Sequence, residues 1–442
     1  MVDFVTYWSM EGVSGFFRVF WFFILFEFPR FIVMDYSMLL VYWIKGKFAE
    51  KDYQEAREDF LSAKPFISVI VPGKNEGENF ERLVESLEEQ TYRNFEIIIV
   101  DDGSDDHSTV IGRHLEKQGR IDKFISNTVR GGKASAANTA LRYATGEFIV
   151  HLDADSSLRY DAIEEIMIPF YMDSKIGAVG GNLEVRNPDV NLSTTFQQIE
   201  YNIFIMVGRM VTSSLGILRI VSGAFGAFRK EALDKVHGWD IGPGLDGDIT
   251  IKIRKLGYRV HFEPKATIFT TVPESFISLA KQRMRWSRSL VRFRLRKHNN
   301  LFMPFETFDL RNFLTVAENI FFNFILNFFW YIYMIDIIVN FNQEILYVLV
   351  AGIMLYSTSK FLQYVVVLIL SRDWKRKLKY LAYLPGMVFY TGYYMRFIRT
   401  AAYLKELFFK DSFSDNWNPL KTSAQAKILE KNIERVFSKT GS

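Results

Sequence analysis

The chain has no cysteine among its 442 residues. This excludes disulfide bonds, thiol catalysis and cysteine-ligated zinc, and it leaves the redox compartment open. The net charge of +4 is too small to indicate nucleic-acid binding, so no nucleic-acid partner is predicted. A slight basic excess instead suits the cytoplasmic face of an anionic bilayer. Residues 1–15 lack a basic region followed by an uninterrupted apolar core, and no cleavable signal peptide is predicted.

Apolar residues are plentiful and unevenly distributed. They make up 49% of the chain, and many of the 42 phenylalanines lie near its two ends. A chain of this length allows two or three domains. The distribution predicts, in order, membrane segments over 1–50, a soluble domain over 51–300, transmembrane or interfacial helices over 301–410 and a polar tail over 411–442. Residues 51–64 are expected to be a charged connector, and 424–437 a solvated amphipathic helix.

The apolar stretches at both ends are long enough to cross a bilayer, which takes about 20 residues of helix. Residues 16–44 are interrupted by charges and a proline, which favours either one span with an interfacial piece or two short kinked spans. Residues 313–341 and 345–370 are two further candidate spans, whereas 380–409 could span once or lie partly in the interface. Basic residues after these stretches place the following segments in the cytoplasm.

The middle of the chain alternates strand and helix patterns. Three apolar runs and two stretches of helical spacing follow one another at 66–72, 78–89, 95–100, 134–144 and 148–152. This alternation predicts an α/β fold with a mainly parallel sheet and helices on both faces. Such sheets bind ligands at the carboxyl ends of their strands. Asp101, Asp102 and Asp153 lie at such ends, so we expect their carboxylates to converge on one crevice.

Two acidic motifs follow the predicted strands. Asp102 can accept the imino hydrogen of uracil and bond a ribose hydroxyl, although Asp-Gly is also a common turn pair. Asp153 and Asp155 are two apart on an extended segment, so both carboxylates can face one cation. Their hard oxygens suit Mg²⁺ or Mn²⁺, which would act as a Lewis acid on a departing nucleoside diphosphate. A solvated acidic loop would give the same pattern.

Two glycine-containing segments lie beside these motifs. Gly131, Gly132 and Lys133 precede a helix of small residues, and such a start can hold a phosphate. An ordinary helix N-terminus would have the same sequence, and the P-loop consensus is not matched, which argues against a kinase or ATPase. Gly223 lies in a small-residue segment, 222–226, that lets the backbone approach a ligand closely.

An acidic helix start provides the candidate general base. Asp246 opens a helix predicted over 244–254, and a carboxylate within hydrogen-bond reach of a hydroxyl can deprotonate it. The alternative is that Asp246 and Asp248 only cap this helix, and capping is expected for Asp248 in either case.

A Gln-x-x-Arg-Trp motif follows, in the basic stretch 281–297. The motif consists of Gln282, Arg285 and Trp286. Its arginine could balance the negative charge of a diphosphate, and its tryptophan could stack on a sugar ring. They could equally belong to a helix that lies on the membrane surface and has no catalytic part.

In order and spacing, these motifs together resemble the membrane-embedded processive family 2 glycosyltransferases, which are the cellulose, hyaluronan, chitin and poly-N-acetylglucosamine synthases. The likeness covers about residues 67–292, with the flanking spans in a similar arrangement. It implies a GT-A-type domain on the cytoplasmic face of the plasma (inner) membrane, in a multi-pass protein. One position departs: Leu245 stands where the family often has an acidic residue, which predicts altered acceptor contacts.

The resemblance also implies residue roles. Asp246 would be the catalytic base, and Asp153 and Asp155 would hold Mg²⁺ or Mn²⁺. Nucleotide binding would fall to Pro72, Asn75, Glu76, Asp102, Lys133 and Asp153. Contacts to the acceptor and the diphosphate would fall to Gly223, Gln282, Arg285 and Trp286.

The implied activity is inverting, metal-dependent and processive transfer from a UDP-sugar, of the UDP-glucose or UDP-N-acetylglucosamine type, to a growing β-linked polysaccharide. Coupled export is expected, with the bilayer, a polysaccharide acceptor and either accessory export subunits or a second copy as partners. One alternative is a transferase that moves a single sugar to a membrane lipid. Another is a non-catalytic scaffold or transporter with a degenerate sugar-binding domain.

Overall fold

The computed structural model describes residues 4–240, 244–302 and 309–413. Within them the strands are β1 Ile67–Gly73, β2 Phe95–Asp101, β3 Lys123–Ser126, β4 Phe148–Leu152, β5 Ser156–Leu158, β6 Ile176–Val185, β7 Phe225–Arg229 and β8 Arg259–Thr270. The α-helices are α1 Phe4–Phe22, α2 Met34–Ala63, α3 Gly77–Glu88, α4 Ser108–Lys117, α5 Lys133–Tyr143, α6 Ala162–Met167, α7 Pro169–Met172, α8 Leu192–Glu200, α9 Gly208–Ser214, α10 Lys230–Lys235, α11 Leu245–Lys255, α12 Phe276–Ser289, α13 Leu310–Ile320, α14 Leu326–Asn340, α15 Ile345–Leu370, α16 Trp374–Lys377, α17 Leu384–Phe389 and α18 Met395–Phe409. Short π-helical segments occur at Phe23–Glu27, Pro29–Val33, Tyr201–Val207, Leu290–Lys297, Phe321–Ile325 and Tyr390–Tyr394, and 3₁₀ turns at Asn299–Phe302, Leu378–Tyr383 and Asp411–Phe413.

All eight of these strands form one sheet, in the order β3-β2-β1-β4-β7-β6-β8-β5. Strands β1 to β4 pair in parallel, as do β6 and β8, whereas β7 is antiparallel to both of its neighbours. The predicted α/β class with a mainly parallel sheet is therefore confirmed. Because β7 runs against β4, the small-residue segment before β7 lies beside the carboxyl end of β4, where Leu152 pairs with Phe225.

Side chains of the central strands alternate between two buried faces, as a period of two requires. On one face Val69 and Val150 pack with α3 and α6, and on the other Ile70 and Ile149 pack with the alanine-rich α5. The predicted strands and the helices α3 and α5 match the structure to within one residue at each end. The core on the α5 face of the sheet also contains side chains of α15 and α17, so the soluble domain and these C-terminal helices share buried contacts.

Three helices are long and apolar enough to cross a membrane: Phe4–Glu27, Leu310–Asn340 and Ile345–Leu370. At most 28% of the apolar window of each is buried, which leaves most of its surface free to face lipid. The two C-terminal spans coincide with the predicted pair. The N-terminal span starts before residue 16, contains a break at Gly12, where φ is 62°, and ends at Glu27.

The helix α2 joins this N-terminal span to the soluble domain. It runs without interruption through residues 51–63, so the stretch expected to be a connector is helical and the expected boundary at residue 50 lies inside a helix. Tyr53, Ala56 and Phe60 recur at helical spacing and are buried against the domain. Packing on this stripe explains why a segment rich in charge stays helical.

The C-terminal region after α15 is not among the three candidate spans. Residues 384–409 are helical throughout, with a proline near their start and a π-helical segment at Tyr390–Tyr394. Whether this stretch spans once or lies partly in the interface stays a prediction. The predicted helix at 424–437 lies outside the described residues, as does the rest of the tail from residue 414.

A buried carboxylate in β8 allows a test of pH-dependent stability. Burial raises the pKa of Glu263 to about 7, with the Lys265 N–H opposing the rise, whereas an unperturbed glutamate titrates near ~4.3. Because the pKa of Glu263 is higher in the folded state than in the unfolded state, ionised Glu263 destabilises the fold. This destabilisation grows as the pH rises from about 4.3 to about 7.

The variant Glu263→Gln tests this, because it keeps the acceptor for the Lys265 N–H (2.9 Å) and carries no charge. It is expected to add on the order of 2 kcal/mol more stability at about pH 8 than at about pH 5. Thermal melts at both pH values check this, with exposed Glu85→Gln as control; an equal shift at both would contradict it.

Candidate active site

The crevice begins where β1 and β2 end side by side. Asn75 has left-handed backbone, with a φ of 58°. Its N–H donates to Ser104 Oγ (2.8 Å), and its Oδ1 accepts from the Asp105 N–H (2.9 Å). The Glu76 N–H donates to Ser108 Oγ at 3.0 Å. These bonds hold the turn after β1 against the turn after β2, and they bring Asn75 and Glu76 to the edge of the sheet where the acidic motifs lie.

Pro72 is the predicted site residue that lies inside the sheet. It is buried in β1 opposite Val100. Proline is disfavoured in a central strand because it lacks an N–H. Here it is accommodated because the pairing of β1 with β4 ends at Ile70.

Asp102 holds a turn of backbone in place. Its two carboxylate oxygens accept from the N–H groups of Gly131 and Gly132, each at 2.7 Å, and its side chain is buried. Burial raises the pKa of Asp102, and the two glycine N–H groups oppose that rise. The neighbouring Asp101 accepts from Thr109 Oγ1 (2.6 Å) and closes its own turn. Asp102 thus fixes the approach to Lys133, the next residue after the two glycines.

Lys133 brings the distant acidic motifs together. Its ammonium is paired with the Asp153 carboxylate. Burial lowers the pKa of Lys133, but the carboxylates of Asp153, Asp246 and Asp155 together outweigh burial and raise it. Carboxylates that follow β4 and that open α11 therefore lie within electrostatic range of the same cation.

The carboxylates beside Lys133 are suited to a divalent cation. Asp155 Oδ1 is buried and has no hydrogen-bond partner among the described residues. Burial and the neighbouring charge of Asp153 raise the pKa of Asp155 to about 6. Burial also raises the pKa of Glu76 to about 7, although a hydrogen bond from Asn79 opposes this rise. An orphaned oxygen and two carboxyls that resist ionisation are conditions that a bound cation would relieve.

The number of protein ligands limits the kind of metal site. Within the described ranges, no group of three or more His, Cys, Asp or Glu side chains has metal-binding geometry. Mg²⁺ is usually bound by one or two carboxylates, and phosphate oxygens and water fill its remaining coordination positions. Asp153 and Asp155 therefore fit a metal that binds together with a diphosphate.

Asp246 lies against the small-residue segment before β7. A Cβ at Gly223 would lie 2.3 Å from Asp246 Oδ1, so the carboxylate is packed directly against the backbone of Gly223. Burial raises the pKa of Asp246, while Lys133 and the Gly223 N–H lower it and Asp153 raises it. This close approach requires glycine at position 223. A partly desolvated carboxylate with a raised pKa can accept a proton from a hydroxyl.

Asp248 does not cap α11, contrary to the sequence expectation. The N-cap is Gly244, in left-handed backbone, and no side chain caps this end. Asp248 is instead buried and bonds Lys297 Nζ and His298 Nε2, each at 2.7 Å. Its carboxylate ties α11 to the segment after α12, because the chain folds back on itself there.

The Gln-x-x-Arg-Trp motif lies on α12, which packs against α18. Gln282 Oε1 is buried without a hydrogen-bond partner in the part of the chain that the structure describes, Arg285 is partly buried, and Trp286 is 41% exposed. The end of α12 reaches the start of α11, since a Cβ at Gly244 would lie 2.3 Å from Ser289 Cβ.

An arginine inside the motif links it to the acidic crevice. The Arg283 guanidinium lies over the Trp286 ring, 4.4 Å from its centroid. The same guanidinium lies over the Tyr201 ring, 5.8 Å from its centroid. Burial raises the pKa of Tyr201, Arg283 opposes that rise and Asp155 contributes to it, so Tyr201 lies within electrostatic range of both the motif and the acidic crevice.

Glu200 anchors α12. Its Oε2 accepts from Arg283 Nη2 (2.9 Å) and from the Tyr390 hydroxyl (2.8 Å). Glu200→Ala is expected to cost roughly 3–5 kcal/mol, because it leaves a buried guanidinium uncompensated. Tyr390→Phe removes one hydroxyl and is expected to cost about 1 kcal/mol. Thermal melting of the two variants checks the order; equal losses would show that the ion pair does not hold α12.

Three polar side chains around the crevice were not singled out from sequence. Glu200 lies at the end of α8. Arg209 on α9 lies near Asp246, and burial lowers its pKa to about 10 although Asp246 opposes this. His151 is buried within β4, two residues before Asp153. His151 could have been noticed in the sequence, because it is a single histidine inside an apolar strand. Glu200 and Arg209 have no distinctive sequence context.

Comparisons with known proteins agree with this fold. The family described as Glycosyl transferase family 2 matches residues 68–237, from β1 to just beyond α10. This part of the chain is therefore similar to the family 2 glycosyltransferases.

Individual curated proteins are also similar to this chain. The poly-β-1,6-N-acetyl-D-glucosamine synthase of Staphylococcus epidermidis is 31% identical over 276 residues, which cover 59% of this chain and 64% of that protein. The protein of the same name from Staphylococcus aureus (strain COL) is 31% identical over 272 residues, covering 59% and 65%. The matches thus span less than two thirds of the length of these relatives.

A solved structure shares the fold. A mannosyltransferase from Pyrobaculum calidifontis, in complex with GDP-Man and Mn²⁺, has a TM-score of 0.52 at 20% identity. The match covers 85% of this chain and 98% of that one. The predicted GT-A-type fold is confirmed by this likeness.

Proposed function

We propose that the protein transfers N-acetylglucosamine from UDP-N-acetylglucosamine to a growing β-linked polysaccharide, processively and with inversion. The observation that carries this is the grouping of Asp153, Asp155 and Asp246 around Lys133, beside the helix that bears Trp286. The sugar follows from the names of the curated relatives, which are poly-β-1,6-N-acetyl-D-glucosamine synthases.

The donor would bind at the carboxyl ends of β1, β2 and β4. Asn75, Glu76 and Asp102 line this edge and suit the nucleoside, and Lys133 suits a diphosphate oxygen. Asp153 and Asp155 would hold Mg²⁺ or Mn²⁺, which when bound supplies positive charge to the departing UDP.

The acceptor would enter from the side of α12. Trp286 presents a half-exposed indole on which a sugar ring can stack, and Gln282 offers an unpaired carbonyl oxygen to a hydroxyl. Asp246 takes the proton of the acceptor hydroxyl, whose oxygen attacks the anomeric carbon as the bond to UDP breaks. Attack opposite the leaving group inverts the anomeric centre and yields a β-linkage. Arg285 would stabilise diphosphate charge beside it.

The membrane helices suit export of the product. The soluble domain shares a buried core with α15 and α17, so a chain that leaves the crevice meets the membrane helices directly. We place the soluble domain on the cytoplasmic face of the plasma (inner) membrane, where nucleotide sugars are available. Accessory export subunits or a second copy would complete the path.

A UDP-release screen tests the proposal. Protein purified in nanodiscs would be supplied with about five UDP-sugars, each with Mg²⁺, Mn²⁺ or EDTA. The expected result is UDP release from UDP-N-acetylglucosamine that EDTA abolishes, together with a polymer cleaved by a β-1,6-specific hydrolase. One labelled sugar on an organic-extractable lipid would instead establish the single-sugar alternative. No UDP release under any condition would favour a non-catalytic protein.

A further inference from the structure

His151 makes a contact that the proposed reaction has not yet used. It is the fourth residue of β4, and its side chain is 2% exposed. Its Nδ1 lies 2.6 Å from the carbonyl oxygen of Gly223. Because a carbonyl oxygen only accepts, Nδ1 carries the proton and donates.

The imidazole is held in one orientation by its surroundings. Its ring centroid lies 5.3 Å from that of Trp239. The backbone of Trp239 is fixed to α5 by Asn138, whose side chain donates to the Trp239 carbonyl (2.8 Å) and accepts from its N–H (2.9 Å). On the other side β7 pairs with β4, with Gly226 opposite His151. The ring therefore cannot turn away from Gly223 without moving α5 or β7.

Gly223 receives this hydrogen bond and also contacts Asp246. Its backbone packs directly against the Asp246 carboxylate, and there is no room for a side chain between them. The next residue, Ala224, accepts from the Asp153 N–H at 3.2 Å. The carbonyl of Gly223 is thus held by His151, and its Cα lies against Asp246.

We infer that His151 is a positioning residue, which holds Gly223 against the carboxylate of Asp246 and so keeps that carboxylate directed toward the acceptor hydroxyl. The inference rests on the proposed role of Asp246 as base. His151 itself touches neither donor nor acceptor. The bland alternative is a core histidine that satisfies its own N–H and does nothing further.

Three substitutions separate these roles. His151→Leu removes the donor and keeps a side chain of similar volume, whereas His151→Asn places an amide N–H near the position of Nδ1. His151→Val has no donor and a β-branched side chain that suits a strand, and it replaces the leucine variant if the latter fails to fold. A control is His261→Leu, because His261 lies in β8 of the same sheet and its ring also contacts a polar group, Ser213 Oγ, at 3.4 Å.

Turnover of UDP-N-acetylglucosamine is the first readout. In His151→Leu, kcat is expected to fall about 10- to 100-fold, the range for one lost hydrogen bond that acts on a charged group. KM for the donor should stay within about twofold, since the donor site is untouched. His151→Asn should recover kcat to within about threefold of the wild type. His261→Leu should leave both constants unchanged.

Hydrogen–deuterium exchange over residues 219–228 is the second readout, and it needs no turnover. The amides of 222–224 should exchange faster in His151→Leu and at the wild-type rate in His151→Asn. Unchanged kcat in the leucine variant, or an asparagine variant as impaired as leucine, would overturn the inference, as would unchanged exchange. If the wild type turns over no UDP-sugar, the proposed function fails, and exchange alone decides whether His151 holds Gly223.

Discussion

The Asp246→Asn variant is expected to lose about 10²- to 10⁴-fold in sugar transfer, the range of a general base. Asparagine has nearly the same shape and can still pack against Gly223, but it cannot take a proton. Because Asp153 and Asp155 are unchanged, UDP should bind with nearly unchanged affinity. Initial rates of UDP release and the Kd of UDP measured by calorimetry separate the chemical step from binding.

A control shows whether the loss belongs to the site. Asp234→Asn on α10 removes a half-exposed carboxylate whose partner is Lys230, and it should have no measurable effect on transfer. Full activity in Asp246→Asn would remove the proposed base. An equal fall in UDP affinity would instead assign Asp246 to donor binding.

Gly223→Ala is expected to reduce transfer about 10²-fold, an effect comparable to misplacing a catalytic group by about 1 Å. The added methyl would lie 2.3 Å from Asp246 Oδ1, a distance that unbonded atoms do not tolerate. Either the carboxylate or the segment before β7 must move, and both belong to the proposed acceptor site. Measurement of kcat and donor KM is expected to show a loss confined to kcat.

Gly208→Ala is the matched control for this substitution. Gly208 begins α9, and a Cβ there would have its nearest neighbour, the Ile203 carbonyl oxygen, at 3.6 Å. Alanine should be tolerated or slightly stabilising at that position, since it favours helix over glycine. Equal activity of the two alanine variants would show that the close approach of Gly223 to Asp246 is not needed for turnover.

The strands and the first helices of the soluble domain could be predicted because burial imposes a local pattern. Runs such as Ile67–Gly73 are apolar on both faces, and α3 places Leu83, Val84 and Leu87 on one side. The continuation of α2 as a helix over residues 51–63 could not be predicted. Its charged residues suggest a connector, whereas in the structure Tyr53, Ala56 and Phe60 pack on the domain and stabilise the helix.

The acidic motifs were predictable as candidates but not in their contacts. Asp248 was expected to cap α11, yet it bonds Lys297 and His298, which are close to it only because the segment after α12 returns to α11. Arg283 likewise lies inside the recognised motif without being one of its specified residues. Its partners Glu200 and Tyr390 come from elements far apart along the chain.

Sequence by itself determined the α/β class, the two candidate spans near the C-terminus and the short list of carboxylates, because each depends on the order and polarity of neighbouring residues. Tertiary structure alone decided that Lys133 pairs with Asp153 within electrostatic range of Asp246, that Gly223 leaves no space beside Asp246, and that His151 donates to Gly223. These contacts join residues that are tens of positions apart. They exist because the antiparallel strand β7 enters the sheet beside the end of β4, an arrangement that no local pattern encodes.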